Sequence, residues 1–190
     1  MDENEKKEID LKSTEELTAT HEIYDWVSCV ATALVLCVLL FCFFARVIDV
    51  KGQSMENTFF DGHKVVITRL AGKYRQGDIV VLQKNTYSDY PIIKRVIATE
   101  GQTIDIDFES GLVYIDGEVY DEPYVKELTY NREDFSGPVT VPEGCIWVMG
   151  DNRNHSQDSR YAYIGCVDTR CVLGKVILRI WPINKFGTVS

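Results

Sequence analysis

Gly111 to Tyr120, GLVYIDGEVY, decides the fold class. Short runs rich in Val, Ile and Tyr flank Asp116-Gly117, and that pair favours the positive backbone angles of a two-residue hairpin turn. Working outward, the same grammar recurs in HKVVITRL, GDIVVLQ, PIIKRVIAT, QTIDIDF, GCIWVMG and GKVILRIWP. Each run is short, rich in Val, Ile and aromatics, and bounded by Gly, Asp, Asn or Pro. Pro142-Glu143-Gly144 marks another turn before a strand. No long amphipathic helix follows Val50, so the expectation is a mainly β domain over residues 49–190, an antiparallel β-barrel or folded sheet. Residues 121–141 are polar and irregular and read as an excursion from that sheet.

Upstream the pattern changes. Trp26 to Ala45, WVSCVATALVLCVLLFCFFA, carries no charge and lies between Asp25 and Arg46. A bilayer core needs roughly 20 apolar residues of helix. A cleaved leader would have a shorter apolar region and a basic start, whereas the stretch before Trp26 holds nine acids and three lysines. The reading is a polar tail over 1–25 and a single transmembrane helix over 26–48. Lys6, Lys7 and Lys12 before the helix balance Arg46 and Lys51 after it, so the positive-inside rule gives no orientation.

Composition removes some function classes. The net charge is −9 and no basic run suits a nucleic acid, so no nucleic-acid partner is expected. Three histidines without an HExxH motif leave little for a catalytic zinc, and no metal or cofactor is expected. Cys29, Cys37 and Cys42 fall in the apolar helix; Cys145, Cys166 and Cys171 follow it without a CxxC and read as small apolar filler. Spacing alone leaves a Cys166–Cys171 disulfide open.

Three stretches carry candidate chemistry. Ser54 sits in VKGQSMENTF, where Gly52 lets backbone approach a ligand closely; alone, a Gly-x-Ser is a turn at least as readily as a nucleophile. A serine nucleophile needs a base. His63 follows a turn and His155 sits in a polar loop, and both read as exposed. Lys94 is the other candidate. On a strand it shares a face with Ile92, Val96 and Ala98, Arg95 taking the opposite face with Ile93 and Ile97. A lysine on a buried apolar face would be desolvated towards the neutral base; at a sheet edge it would snorkel to water. The third stretch, MGDNRNHSQDSR (Met149 to Arg160), is a polar loop after a hydrophobic strand, a place where function is commonly carried.

Together these residues resemble the bacterial type I signal peptidases, membrane-anchored Ser/Lys proteases. Gly52-Gln53-Ser54-Met55-x-x-Thr58 resembles the nucleophile block, Gly77-Asp78-Ile79-Val80-Val81 the second, Lys94-Arg95-Val96-Ile97 the lysine block, and Gly150-Asp151-Asn152-Arg153-x-x-Ser156-x-Asp158-Ser159-Arg160 the last. The resemblance implies removal of signal peptides from exported preproteins, with small residues preferred at −3 and −1. It implies Ser54 as nucleophile, Lys94 as general base, and an acyl-enzyme. The Ser54 N–H would help bind the oxyanion, Ser156 would hydrogen-bond and orient the lysine, Asp158 and Arg160 would pair, and Asp151 would brace the loop. Met55 is a candidate for lining a substrate pocket. Membrane lipid is an implied partner, the export channel an open one, and the catalytic domain is expected outside the cytoplasm.

The chain departs from the family's pattern. The family usually has Pro at the position of Asn57, so a looser turn is expected; Ala98-Thr99-Glu100-Gly101-Gln102 replaces the usual Gly-x-Pro-Gly-Asp. Some members carry, at the position of Gly52, a serine whose hydroxyl is a second oxyanion donor. The expectation is that Gly52→Ser modestly raises kcat, against the rival view that Gly52 serves a positive φ. Two other functions stay open: a related Ser/Lys processing peptidase of the conjugative-transfer type, and an anchored β-domain that binds exported peptides without cutting them.

Overall fold

A computed structural model describes residues 22–39, 45–70, 72–83 and 90–189. The chain divides into two units, Met1–Phe43 and Phe44–Ser190. In the first, α1 (Glu22–Leu39) is long and apolar enough to cross a membrane, and its side chains are exposed throughout. It starts four residues before the apolar run. The polar tail expected over 1–25 therefore lies outside the described residues except for its last four, which open the helix, and residues 40–44 lie outside them too.

The expected anchor end at residue 48 is corrected. Ala45–Asp49 is strand β1 of the second unit, paired antiparallel with Lys64–Thr68 (β2), Ala45 opposite Thr68 and Asp49 opposite Lys64. Apolar count alone carried the helix too far, because the backbone of ARVID finds its ladder partner in β2.

The second unit is mainly β and curled, half of a barrel. Besides β1 and β2 its strands are β3 (Ile79–Leu82), β4 (Ile92–Thr99), β5 (Thr103–Asp107), β6 (Leu112–Ile115), β7 (Glu118–Val119), β8 (Val139–Thr140), β9 (Cys145–Met149), β10 (Val167–Asp168) and β11 (Val172–Trp181). One sheet runs β1-β2-β11-β3-β4-β9-β10 and the other β7-β6-β5-β8. All the pairings among the described residues are antiparallel. Asp116 and Gly117 close the β6–β7 hairpin with φ of 53° and 86°, the positive pair a tight turn of this hand needs. The sequence reading missed β1, β8 and β10, of which β8 and β10 are only two residues long and carry no periodicity.

Side chains from the inner face of β4 and β9 (Ile97, Ala98, Trp147 and Met149) pack against Ile104, Ile106, Val113 and Ile115 of the smaller sheet. A second cluster joins Met55 and Phe59 of the serine loop to Val65, Ile67, Ile79, Val81 and Ile93. A third contains Val80, Leu82, Val96, Ile146, Val148 and Val167. Strict alternation along β4 fails at its end: the register slips between Val96, opposite Val148, and Ala98, opposite Trp147. The extra residue turns Ala98 away from the face it was expected to share with Lys94, because a bulge inverts the alternation beyond it.

Candidate active site

Lys94 is the third residue of β4, which lies between β3 and β9 well inside the large sheet. Its opposite number on β3 is Val80, and Ile92 and Val96 flank it on the same face. Snorkelling from an edge is thereby ruled out; the side chain is 3% exposed. Burial lowers its pKa from 10.5 to about 8, against the carboxylates of Asp158 and Asp151, which pull it upward, and with help from the Arg160 guanidinium. Desolvation dominates because a charge in apolar surroundings loses its water. The Lys94 ammonium Nζ donates to Ser54 Oγ at 2.7 Å.

Ser54 reaches that point from a run of tight turns. The Glu56 N–H donates to the Gln53 carbonyl (3.0 Å), and the N–H groups of Thr58 and Phe59 both donate to the Met55 carbonyl (3.1 and 2.7 Å). Met55 and Phe59 are 2% and 0% exposed and plug this loop into the core. Met55, the candidate pocket residue, is in this arrangement packed into the core and not among the residues lining the cavity beside Ser54. Its unbranched apolar chain turns inward and holds the turn down. From the other side, Asn152 grips the same backbone: its N–H donates to the Ser54 carbonyl and its Nδ2 to the Gln53 carbonyl, both at 3.0 Å. Gly150 completes the contact, since a methyl there would overlap the Ser54 carbonyl oxygen and Ser156 Oγ.

The cavity beside Ser54 and Lys94 is about 390 Å³, lined also by Gly52, Gln53, Ile92, His155, Gln157 and Ile164. A larger one of about 530 Å³, lined among others by Lys73, Tyr74 and Glu100, contains none of these groups. His155 is exposed on the rim of the smaller cavity, whereas His63 is buried against Phe59 and Phe60, contrary to its reading as an exposed turn residue. Burial holds its pKa below the ordinary histidine value.

Behind the pair lie charges that are paired and buried. Arg95, on the opposite face from Lys94, forms a two-pronged ion pair with Asp151: Nε to Oδ1 and Nη2 to Oδ2, each 2.9 Å. Asp151 also accepts from the Thr58 hydroxyl, and Arg95 donates to the Gly77 carbonyl at 2.9 Å. Arg160 and Asp158 form a second two-pronged pair at 2.9 Å for both contacts, and both side chains are fully buried. Burial alone would raise the Asp158 pKa, but the Arg160 guanidinium and the Gly150 N–H hold the carboxyl below its usual range. Arg153, a third buried arginine, pairs with Glu122 of the 121–141 excursion and donates to Thr129 Oγ1 at 3.0 Å. Ser156 is 6% exposed and lies beside the Asp158 carboxylate, yet its Oγ makes no hydrogen bond of normal geometry. The bond from Ser156 to Lys94 that the resemblance implied is thus not formed in this arrangement. Cys166 and Cys171 are free thiols, so no Cys166–Cys171 disulfide is present.

Arg95 and Glu122 were missed as site residues. Two adjacent cations inside PIIKRVIAT, apolar on both faces, were the available signal for Arg95: a charge on a buried face needs a carboxylate partner of its own. Glu122 lay in the excursion, where nothing local distinguishes a buried acid from an exposed one.

A buried lysine on a serine hydroxyl, held by a folded β-sheet, suits acyl transfer. The sequence matches the family described as signal peptidase, peptidase S26, over residues 23–181. It is 34% identical to a signal peptidase I of Bacillus licheniformis, covering 87% of this chain and 92% of that protein. It is 31% identical to signal peptidase IB of Staphylococcus aureus (strain COL), covering 87% and 93%. A crystal structure of a signal peptidase I from Enterococcus faecalis aligns with 55% of this chain and 97% of that one, at 28% identity and a TM-score of 0.43. The chain belongs to the signal peptidase S26 family.

The backbone at Gly52 supports the rival reading of that position. Its φ is +82°, and its N–H donates to Asp61 Oδ1 at 2.8 Å. Open space surrounds the position of a Cβ, but a side chain pays the left-handed penalty of about 1–2 kcal/mol. Gly52→Ser is therefore expected to lower kcat several-fold, not raise it, as steady-state cleavage of one peptide will read. Asp151→Asn leaves Arg95 charged and poorly paired in the core. The expected loss is about 3–5 kcal/mol of unfolding free energy, measured by urea denaturation of the residue 44–190 domain within the full chain.

Proposed function

We propose that this protein, as a signal peptidase I, cuts signal peptides from exported preproteins with Ser54 as nucleophile and Lys94 as general base. The reading is carried by the 2.7 Å hydrogen bond between Lys94 Nζ and Ser54 Oγ, made by a lysine whose burial lowers its pKa to about 8. The substrate class follows the name of the relatives. Once Lys94 loses its proton the bond reverses, and the Ser54 hydroxyl donates to Nζ. Oγ then attacks the scissile carbonyl while Nζ takes the proton, and the resulting ammonium returns it to the leaving amine. Water, deprotonated by the same amine, hydrolyses the acyl-enzyme. The Ser54 N–H is one oxyanion donor; Gly52 offers no side chain for another. Ile92 and Ile164 give the cavity beside Ser54 apolar walls, suited to the small residues expected at −3 and −1. Asp151, Asp158 and Arg160 act at a distance from the chemistry by fixing the loop, and the buried hydroxyl of Ser156, beside the Asp158 carboxylate, would orient Lys94 after a rotation.

In this reading α1 is a single membrane anchor in contact with lipid, and the β domain lies outside the cytoplasm, where a cleavage site emerges after crossing. The export channel is a natural neighbour on that side.

Ser54→Ala is expected to abolish peptide cleavage with an unchanged melting temperature. In the wild type, kcat/KM should rise with pH to a half-maximum near the Lys94 value of about 8, because only the neutral amine accepts a proton. Lys94→Arg should be inactive at every pH tested, since a guanidinium stays charged. Turnover by Ser54→Ala, or by Lys94→Arg at a rate near wild type, would overturn the assignment. Topology has its own test: protease added to intact spheroplasts should degrade the domain after Val50, and protection of that domain would reverse the orientation.

A further inference from the structure

Asn57 stands three residues beyond Ser54 with a φ of +94°. That is a conformation in which asparagine is enriched and which most side chains avoid. The residue is exposed, so burial does not force it there. Its Nδ2 donates to two consecutive backbone carbonyls of the excursion, Tyr124 at 3.0 Å and Val125 at 3.3 Å. The turn is thus clasped rather than loose, which corrects the expectation drawn from the absent proline. A proline could not occupy this backbone at all, because its ring holds φ near −65°.

The clasp closes a circuit around the nucleophile. Next to Val125, the Lys126 N–H donates to the Asp151 carbonyl at 2.9 Å. Lys126 Nζ reaches Glu56, the neighbour of Asn57, at 2.7 Å. The Asp151 carboxylate in turn accepts from Thr58, the other neighbour. The Tyr124 ring lies 3.8 Å from the Arg95 guanidinium carbon, seating this part of the excursion on the buried ion pair. The Ser54 turn and the Asp151 loop therefore meet through the excursion as well as directly; on the serine side the join is made by the side chains of Glu56 and Asn57, and Asn57 alone grips the excursion's backbone.

We propose that Asn57 is a positioning residue for Ser54: its left-handed backbone and its amide clasp on Tyr124 and Val125 set the turn that aims Oγ at Lys94. This rests on the Ser/Lys reading given above. The two contributions of the residue can be separated. Asn57→Gly keeps the positive φ accessible and removes only the clasp. Asn57→Ala removes the clasp and disfavours the φ. Asn57→Pro forbids the φ. Misplacement of a reacting group by about 1 Å can cost on the order of 10²-fold in rate.

The test uses the full chain in detergent micelles and a peptide spanning a signal-peptide cleavage site, with kcat, KM and melting temperature measured for each variant. The expected order of kcat is wild type, Gly, Ala, Pro. The loss should be below about tenfold for Gly and approach 10²-fold for Pro, with KM within about twofold and melting temperatures shifted by no more than a few degrees, as for an exposed turn. Recovery of most of the alanine loss by glycine is the signature a merely structural contact would not give. Alanine or proline variants with kcat within twofold of wild type overturn the proposal and leave the Ser/Lys reading intact. Losses of activity that simply track the folded fraction also overturn it. Failure of the wild type to cut the peptide overturns the peptidase reading itself, and with it this one.

Discussion

Everything near the serine depends on the ion pair between Arg95 and Asp151. Both side chains are buried, at 1% and 0% exposure. A lone charge in that position would cost several kcal/mol, so neither residue can be there without the other. The pair also joins stretches that are far apart in sequence. Arg95 belongs to the lysine strand, and it donates to the Gly77 carbonyl in the turn before β3. Asp151 belongs to the last loop, and it accepts from Thr58 in the serine loop. One buried contact therefore fixes all four motif stretches relative to one another. Its strength comes from geometry: two parallel hydrogen bonds at 2.9 Å leave the guanidinium little freedom to tilt.

The neighbouring position is handled in the opposite way. Lys94 and Arg95 are consecutive on β4, so the pleat sends them to opposite faces. Arg95 meets a carboxylate and stays charged. Lys94 meets Val80, Ile92 and Val96 and one serine hydroxyl. The carboxylates of Asp158 and Asp151 are felt there but do not overcome the loss of water. Asp158 in particular is already committed to Arg160 through two contacts. The arginines thus have a second effect besides rigidity: they neutralise the acids that would otherwise keep the lysine protonated.

Much of this was legible in the sequence, for physical reasons that differ by element. The β6–β7 hairpin was readable because Asp116-Gly117 is a local signal and the turn obeys it. The central strands were readable from β-branched residues between Gly and Pro punctuation. The candidate pair Ser54 and Lys94 came from a lysine among apolar neighbours and from the resemblance of four ordered blocks. What was not legible depends on contacts between distant segments. Met55 looked available to a substrate until its packing on Phe59 and Val65 was known. Ala98 changed face because a bulge near Ile97 shifts the period. Asn57 looked like a loosened turn, since nothing in its neighbours foretells the carbonyls of Tyr124 and Val125. The end of the apolar helix was misjudged because hydrophobicity reports whether a segment avoids water, not whether it is helix or strand.

Keeping Lys94 dry links stability and reactivity through one titration. Its folded pKa of about 8 lies below the free value of 10.5, so between those two pH values the unfolded chain holds more protons than the folded one. Stability from this site therefore rises with pH across that window and is lost as pH falls through 8, the sign expected for a depressed pKa. The difference corresponds to about 3 kcal/mol of strain at neutral pH, at roughly 1.4 kcal/mol per pKa unit. The same deprotonation that relieves the strain creates the base proposed for Ser54. A histidine on this face would have little such strain at neutral pH, its free pKa already lying near 6.5. It would be protonated only under more acid conditions. A lysine reaches the neutral state here only because the sheet buries it and the paired arginines hold the surrounding loops closed. Loosening those pairs admits water, returns the amine towards its free pKa, and removes the base without touching either Ser54 or Lys94.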